Sequence, residues 1–126
     1  MIDAYFDEIR AIIAASSVVH STNTAFDRRG DQVGYLRGDL FFSDDSHLHF
    51  REFVQTSEGA LPRRYRYVYH YQSADKVLIF RYDNSPHFPD LPNAPHHKHT
   101  ASNVTSAAPP DLASVLKEIE SLIAVE

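Results

Sequence analysis

The sequence predicts an α+β fold: a five-stranded antiparallel meander sheet with N- and C-terminal helices packed on one face. Three observations carry this. The two ends repeat apolar residues at helical spacing. The middle alternates apolar and polar residues in runs of strand length. Polar turns separate those runs closely enough for antiparallel neighbours, and no crossover helix lies between them. At 126 residues the chain is read as a single domain spanning residues 1–126, large enough to bury a real core.

In order, Ile2, Tyr5, Phe6, Ile9, Ile12 and Ile13 fall on one side of a helix over residues 2–15. Asp3, Asp7 and Glu8 sit near its start, where the helix dipole favours negative charge. A first strand runs from Val18 to Arg28, and Arg29-Gly30-Asp31 turns the chain. The second strand, Gln32 to Phe42, carries Gly34 and Gly38, which weaken strand character. After the polar turn Ser43-Asp44-Asp45-Ser46 comes His47 to Thr56. Leu48, Phe50 and Val54 share one of its faces; His47, His49, Arg51 and Phe53 share the other. Glu52 falls on the apolar face, so it must be paired or stand at the core's edge facing a site.

The fourth strand, Arg63 to Tyr71, puts Tyr65, Tyr67, Tyr69 and Tyr71 on one face and Arg64, Arg66, Val68 and His70 on the other by the period-two rule. The fifth runs from Lys76 to Tyr82. The final helix follows Pro109-Pro110-Asp111, with Leu112, Val115, Leu116, Ile119, Leu122 and Ile123 as its apolar stripe.

Composition narrows the function classes. The chain has no cysteine, which excludes disulfides and zinc–thiolate sites and points to a cytoplasmic setting. Its first residues lack the order of a signal peptide, and no apolar run is long enough to span a membrane. A net charge of −5 argues against a nucleic-acid surface over the whole protein. The centre differs. Between Arg51 and Arg81 there are six basic residues and three acidic ones, which permits local phosphate binding.

Pro86, Pro89, Pro92 and Pro95 recur every third residue, the period of a polyproline II helix. His87, Asp90, Asn93 and His96 then share a second edge, and Phe88, Leu91, Ala94 and His97 a third. Such an arm spans roughly 28 Å and reads as a strap carrying His96-His97-Lys98-His99 back over the sheet.

Histidine, arginine and tyrosine together suit phosphoryl chemistry. Imidazole moves protons near neutral pH, guanidinium stabilises charge on phosphate, and tyrosine stacks on bases or donates a proton. The pool is His70, His87, His96, His97, His99, Arg66, Arg81 and Tyr69. Ordinary structural roles compete. The tyrosine row suits any sheet face, Arg81 and Asp83 suit a salt bridge, and His20, His47 and His49 read as surface residues. A metal is the chemical competitor, with His97 and His99 on one side and Asp83, His87 and Glu52 as further ligands, in no specific zinc spacing. There is no Gly-rich phosphate loop, serine nucleophile motif or dinucleotide fingerprint.

The runs Arg64-Tyr65-Arg66-Tyr67…His70-Tyr71, Phe80-Arg81-Tyr82-Asp83-Asn84…His87 and Pro95-His96-His97-Lys98-His99 resemble the TumE family of toxins from bacterial toxin–antitoxin modules. Leu48-His49-Phe50-Arg51-Glu52 and the C-terminal helix are also similar, so the resemblance covers about Val18 to Leu122. It implies a cytoplasmic toxin paired with a cognate helix-turn-helix antitoxin, and by analogy a ribonuclease or translation inhibitor acting on RNA without metal or other cofactor. The motif-matching residues are Glu52, Tyr67, His70, Arg81, Asp83, His87, His96, His97 and His99. Arg81 is expected to clamp phosphate, two of His70, His87, His97 and His99 to act as acid and base, and Asp83 to orient one of them. Arg64, Arg66, Tyr67, Tyr69, Glu52, His96 and Lys98 are expected to bind substrate. The alternatives are a non-catalytic protein- or RNA-binding module, or a metal-dependent nuclease using the His/Asp/Glu cluster. An open edge strand near Val18 or Tyr82 would allow a homodimer.

Overall fold

The computed structural model describes residues 1–85 and 95–123. The order is α1 (Ile2–Ala15), β1 (Val19–Arg28), β2 (Val33–Phe42), β3 (His47–Gln55), β4 (Arg63–Gln72), β5 (Leu78–Asp83), β6 (His97–His99), β7 (Val104–Ser106) and α2 (Leu112–Ile123). All strands join one sheet in sequential order, and each neighbouring pair is antiparallel.

Among the described residues the sheet therefore has seven strands, not the five expected. The meander continues through β6 and β7, each of three residues, too short to show alternation in sequence. This addition moves the edge. β5 is an interior strand paired with β4 and β6, so Tyr82 lies on no open edge, and the sheet ends at β1 and β7. The proline-spaced arm and His87 lie outside the described residues, apart from Pro95.

Both helices pack on the same face. Ile2, Phe6, Ile9 and Ile13 of α1 and Leu112, Val115, Leu116 and Ile119 of α2 join one core with Leu36, Leu40, Leu48, Phe50, Val54, Tyr67, Tyr69, Tyr71 and Phe80. α2 starts where Asp111 caps it: the Ser114 N–H donates to the Asp111 carboxylate at 2.8 Å, and the Asp111 N–H donates back to Ser114 Oγ at 3.1 Å. Among the described residues no helix is long and apolar enough to cross a membrane.

Gly34 shows why a residue that weakens β2 belongs in it. A Cβ there would stand 2.5 Å from the Phe6 ring and 2.7 Å from Ile2, so the glycine lets α1 approach the sheet backbone. Gly34→Val is expected to destabilise the fold by about 2–3 kcal/mol through overpacking, read as a lower denaturation midpoint with an unchanged slope.

One register shift corrects the face assignment of β4. Phe53 pairs with Arg66 and Val54 pairs with Arg64, so Tyr65 is bulged out between them. Tyr65 consequently leaves the tyrosine face. Its ring packs on Phe53, and its hydroxyl donates to Gln55 Oε1 at 2.7 Å. Arg64 moves the opposite way, onto the helix-covered face, where its Nη1 donates to the Tyr69 hydroxyl at 2.9 Å and to the Pro110 carbonyl.

Candidate functional site

The face away from the helices carries the ionisable residues in cross-strand rows. One row reads Asp39, His49, His70, Arg81, His99 across β2, β3, β4, β5 and β6. The adjacent row reads Arg37, Arg51, Val68, Asp83, His97 across the same strands. Directly opposed side chains in such a ladder stand about 5 Å apart, so residues from five strands form one surface.

Asp83 is its hub. The side chain is 4% exposed. Arg81 Nε donates to Oδ2 at 3.0 Å, His97 Nε2 lies 2.8 Å from Oδ1, and His99 Nε2 lies 3.6 Å from Oδ2. The Ser85 N–H donates to Oδ1 at 3.0 Å. Burial alone would push the Asp83 carboxyl up, but the Ser85 N–H, the Arg81 guanidinium and the His97 charge hold it below the ordinary carboxylate value. The other nitrogen of His97, Nδ1, lies 2.8 Å from the Pro95 carbonyl, so this buried ring is held at both ends.

Arg81 also reaches across the row. Its Nη1 lies 3.3 Å from His70 Nδ1. Guanidinium cannot accept a hydrogen bond, so Nδ1 accepts and the proton of the neutral ring is on Nε2. Burial and the Arg81 charge both push the His70 pKa down, which keeps the ring neutral at physiological pH.

Ligand atoms of Asp83, His97 and His99 all lie within 4.8 Å of one another, a donor set that a divalent transition ion accepts. Arg81 Nε occupies Asp83 Oδ2 at 3.0 Å, and its fixed positive charge opposes a cation there. Glu52 is not part of this group.

The remaining sequence-derived candidates divide between the two faces. Arg66 is exposed on the uncovered face. Glu52 is buried on the helix side, where the Tyr5 hydroxyl donates to one of its oxygens and the Tyr69 hydroxyl to the other, with Arg64 bonded to Tyr69. Burial pushes the Glu52 carboxyl up against the opposing effect of those hydrogen bonds. Tyr69 is pushed well up by burial and the neighbouring Glu52 charge. Tyr67, also buried, is pushed up to about 12 by burial; its hydroxyl lies 2.8 Å from His96 Nδ1, with the two rings stacked. Lys98 donates to Glu118 of α2 at 3.0 Å, and the Tyr82 hydroxyl donates to the same carboxylate at 2.7 Å, which ties β5 and β6 to the last helix.

Asp39, His47 and His49 were not expected at the site. His47 Nε2 and His49 Nδ1 lie 2.8 and 3.0 Å from the same Asp39 oxygen, and His49 stands opposite His70. These histidines hold the Asp39 carboxyl below its ordinary value against the upward push of burial. The alternation of β3 did place both histidines opposite the apolar face. What sequence could not show was that Asp39 and His70 lie in register on the strands to either side.

A family model described as Toxin TumE matches residues 9–124 of the chain. No curated protein and no solved structure gives a match.

Proposed function

The chain belongs to the TumE toxin family, and from that premise we propose that it is the cytoplasmic toxin of a toxin–antitoxin pair and cleaves RNA without a metal ion. The observation that carries this reading is the placement of His70 and His99 on either side of Arg81 in one cross-strand row. Cleavage through the 2′-hydroxyl requires an in-line displacement, with a base and an acid on opposite sides of the phosphorus and a cation on the phosphate oxygens.

The Arg81 fork has five N–H donors, and Asp83 and His70 engage two positions on it, so others remain for phosphate. As the guanidinium turns onto the phosphate, it releases the Nδ1 lone pair of His70. His70 then takes the 2′-hydroxyl proton, and the 2′-oxygen bonds to phosphorus. The 5′-oxygen leaves with a proton from His99. The products are a 2′,3′-cyclic phosphate and a 5′-hydroxyl. Asp83 acts through its neighbours, holding Arg81, His97 and His99 in register. A cognate helix-turn-helix antitoxin would neutralise the toxin by covering this face.

Purified protein incubated with total RNA is expected to yield fragments with 5′-hydroxyl ends, equally with and without chelator. Absence of any RNA product would leave a non-catalytic binding module. Loss of cleavage in chelator would favour the second reading, a metal-dependent nuclease, which the Asp83, His97 and His99 donor set supports.

A further inference from the structure

The uncovered face holds a second feature beside the Asp83 hub. Arg37, Arg51 and Arg66 are exposed there, and among the described residues none has a carboxylate within ion-pair range. Arg10, Arg28, Arg29 and Arg81 each face one. Arg37 and Arg51 are also directly opposite each other in the β2–β3 ladder. Like charges in that position are destabilising, so the sheet carries a repulsion that an anion would relieve. The net charge of the chain is −5, which makes an unpaired cationic patch on one face the more specific.

An open cleft of about 130 Å³ lies between Arg51 and Arg66, lined also by Tyr35, Glu52, Phe53, Tyr67 and Val68; the Glu52 carboxylate is engaged by the Tyr5 and Tyr69 hydroxyls on the helix side. Tyr35, Phe53 and Arg66 form their own cross-strand row. The cleft is the size of one flat ring, not a whole ligand. An aromatic platform between guanidinium groups matches the way proteins hold single-stranded nucleic acid, with bases on the rings and phosphates on the cations. Arg51 is two strands from Asp83 in the same row, about 10 Å away, which suits a neighbouring phosphate of one strand.

We propose that Arg37, Arg51 and Arg66 hold the phosphates of a single-stranded RNA and that one unpaired base stacks in the cleft at Tyr35 and Phe53. This deepens the ribonuclease reading, on which the position of the cleaved bond beside the cleft rests. The binding itself does not depend on cleavage.

The test measures fluorescence anisotropy of a labelled single-stranded RNA oligonucleotide, on the His70→Ala background so that the probe stays intact. Arg51→Ala and Arg66→Ala are each expected to weaken binding about 10-fold and to lower the salt slope by about 0.7 per lost phosphate contact. Phe53→Leu should weaken binding at least 5-fold by loss of stacking, with a salt slope like that of the parent. Arg51→Ala should melt no lower than the parent, because it removes a like-charge pair; Arg51→Gln serves if the alanine variant does not fold. Unchanged RNA affinity in these folded variants would overturn the proposal. So would equal affinity for duplex of the same length, or displacement of the RNA by polyglutamate at equal charge, which would mark the face as a site for an acidic protein. Binding lost in the variants while the wild type cuts no RNA would remove the ribonuclease reading and leave this inference standing. Cleavage with binding insensitive to Arg51 and Arg66 would do the reverse.

Discussion

Arg81→Ala is expected to lower the rate of RNA cleavage by about 10²–10³-fold, the usual consequence of losing one preorganised group that stabilises transition-state charge, while the protein remains folded. Arg81 is only partly buried, and its removal leaves Asp83 with the Ser85 N–H and His97 as partners, so no carboxylate is stranded. His70→Ala is expected to cost about 10²–10⁴-fold through loss of proton transfer. The two residues are linked by a second readout. Burial and the Arg81 charge both push His70 down, so Arg81→Gln removes the second cause and the imidazole should titrate at higher pH, as followed by NMR of its ring protons. The sign follows for activity. A base works when deprotonated, so with Arg81 present the acid limb of the pH–rate profile lies below the ordinary histidine range, and without it residual activity falls off at higher pH. Expression without antitoxin should arrest growth, with the arrest relieved by either alanine variant. Full toxicity in both would remove Arg81 and His70 from the site.

Glu52→Ala is expected to act on stability, lowering it by about 3–5 kcal/mol. It opens a cavity under α1 and leaves the Tyr5 and Tyr69 hydroxyls without their acceptor in a buried place. Glu52→Gln should hold stability much better, since it keeps an oxygen acceptor and the shape. The two also differ in pH dependence. Burial raises the folded carboxyl above its unfolded value, so between those values the folded state binds more protons than the unfolded one. Wild-type stability therefore declines as pH rises from the ordinary carboxylate value through the raised one, and Glu52→Gln lacks that decline. Thermal unfolding from pH 4 to 8 checks both. An alanine variant with the wild-type melting temperature would show that the network contributes little, and a loss of cleavage in a fully folded glutamine variant would give Glu52 a part in the chemistry.

These two outcomes separate residues that the sequence presents as one group. Arg64-Tyr65-Arg66-Tyr67 reads as a simple alternation, and under that alternation Arg64 and Arg66 act together. The bulge at Tyr65 breaks it and sends Arg64 to the helix side and Arg66 to the uncovered face. A bulge depends on how two strands twist and pair, and no residue in this stretch is a glycine that would mark it. In the same way Glu52 was legible as a carboxylate needing a partner, because it interrupts an apolar face. Its partner Tyr5 is 47 residues away on another element, which local pattern cannot supply.

By itself the sequence determined the two terminal helices, five of the strands and the sides of β3, and it marked the stretch holding Arg81, Asp83, His97 and His99 as the candidate site. All of these are local consequences of side-chain period and of which residue types sit next to each other. The tertiary structure decided the rest. It added β6 and β7, set Asp39 and His49 in line with His70, and brought His99 to Arg81 across a strand boundary. The physical reason is register. A one-residue slip between strands turns every side chain to the opposite face, and what selects the register here is the packing of α1 and α2 on one side of the sheet, which leaves the histidines and arginines together on the other.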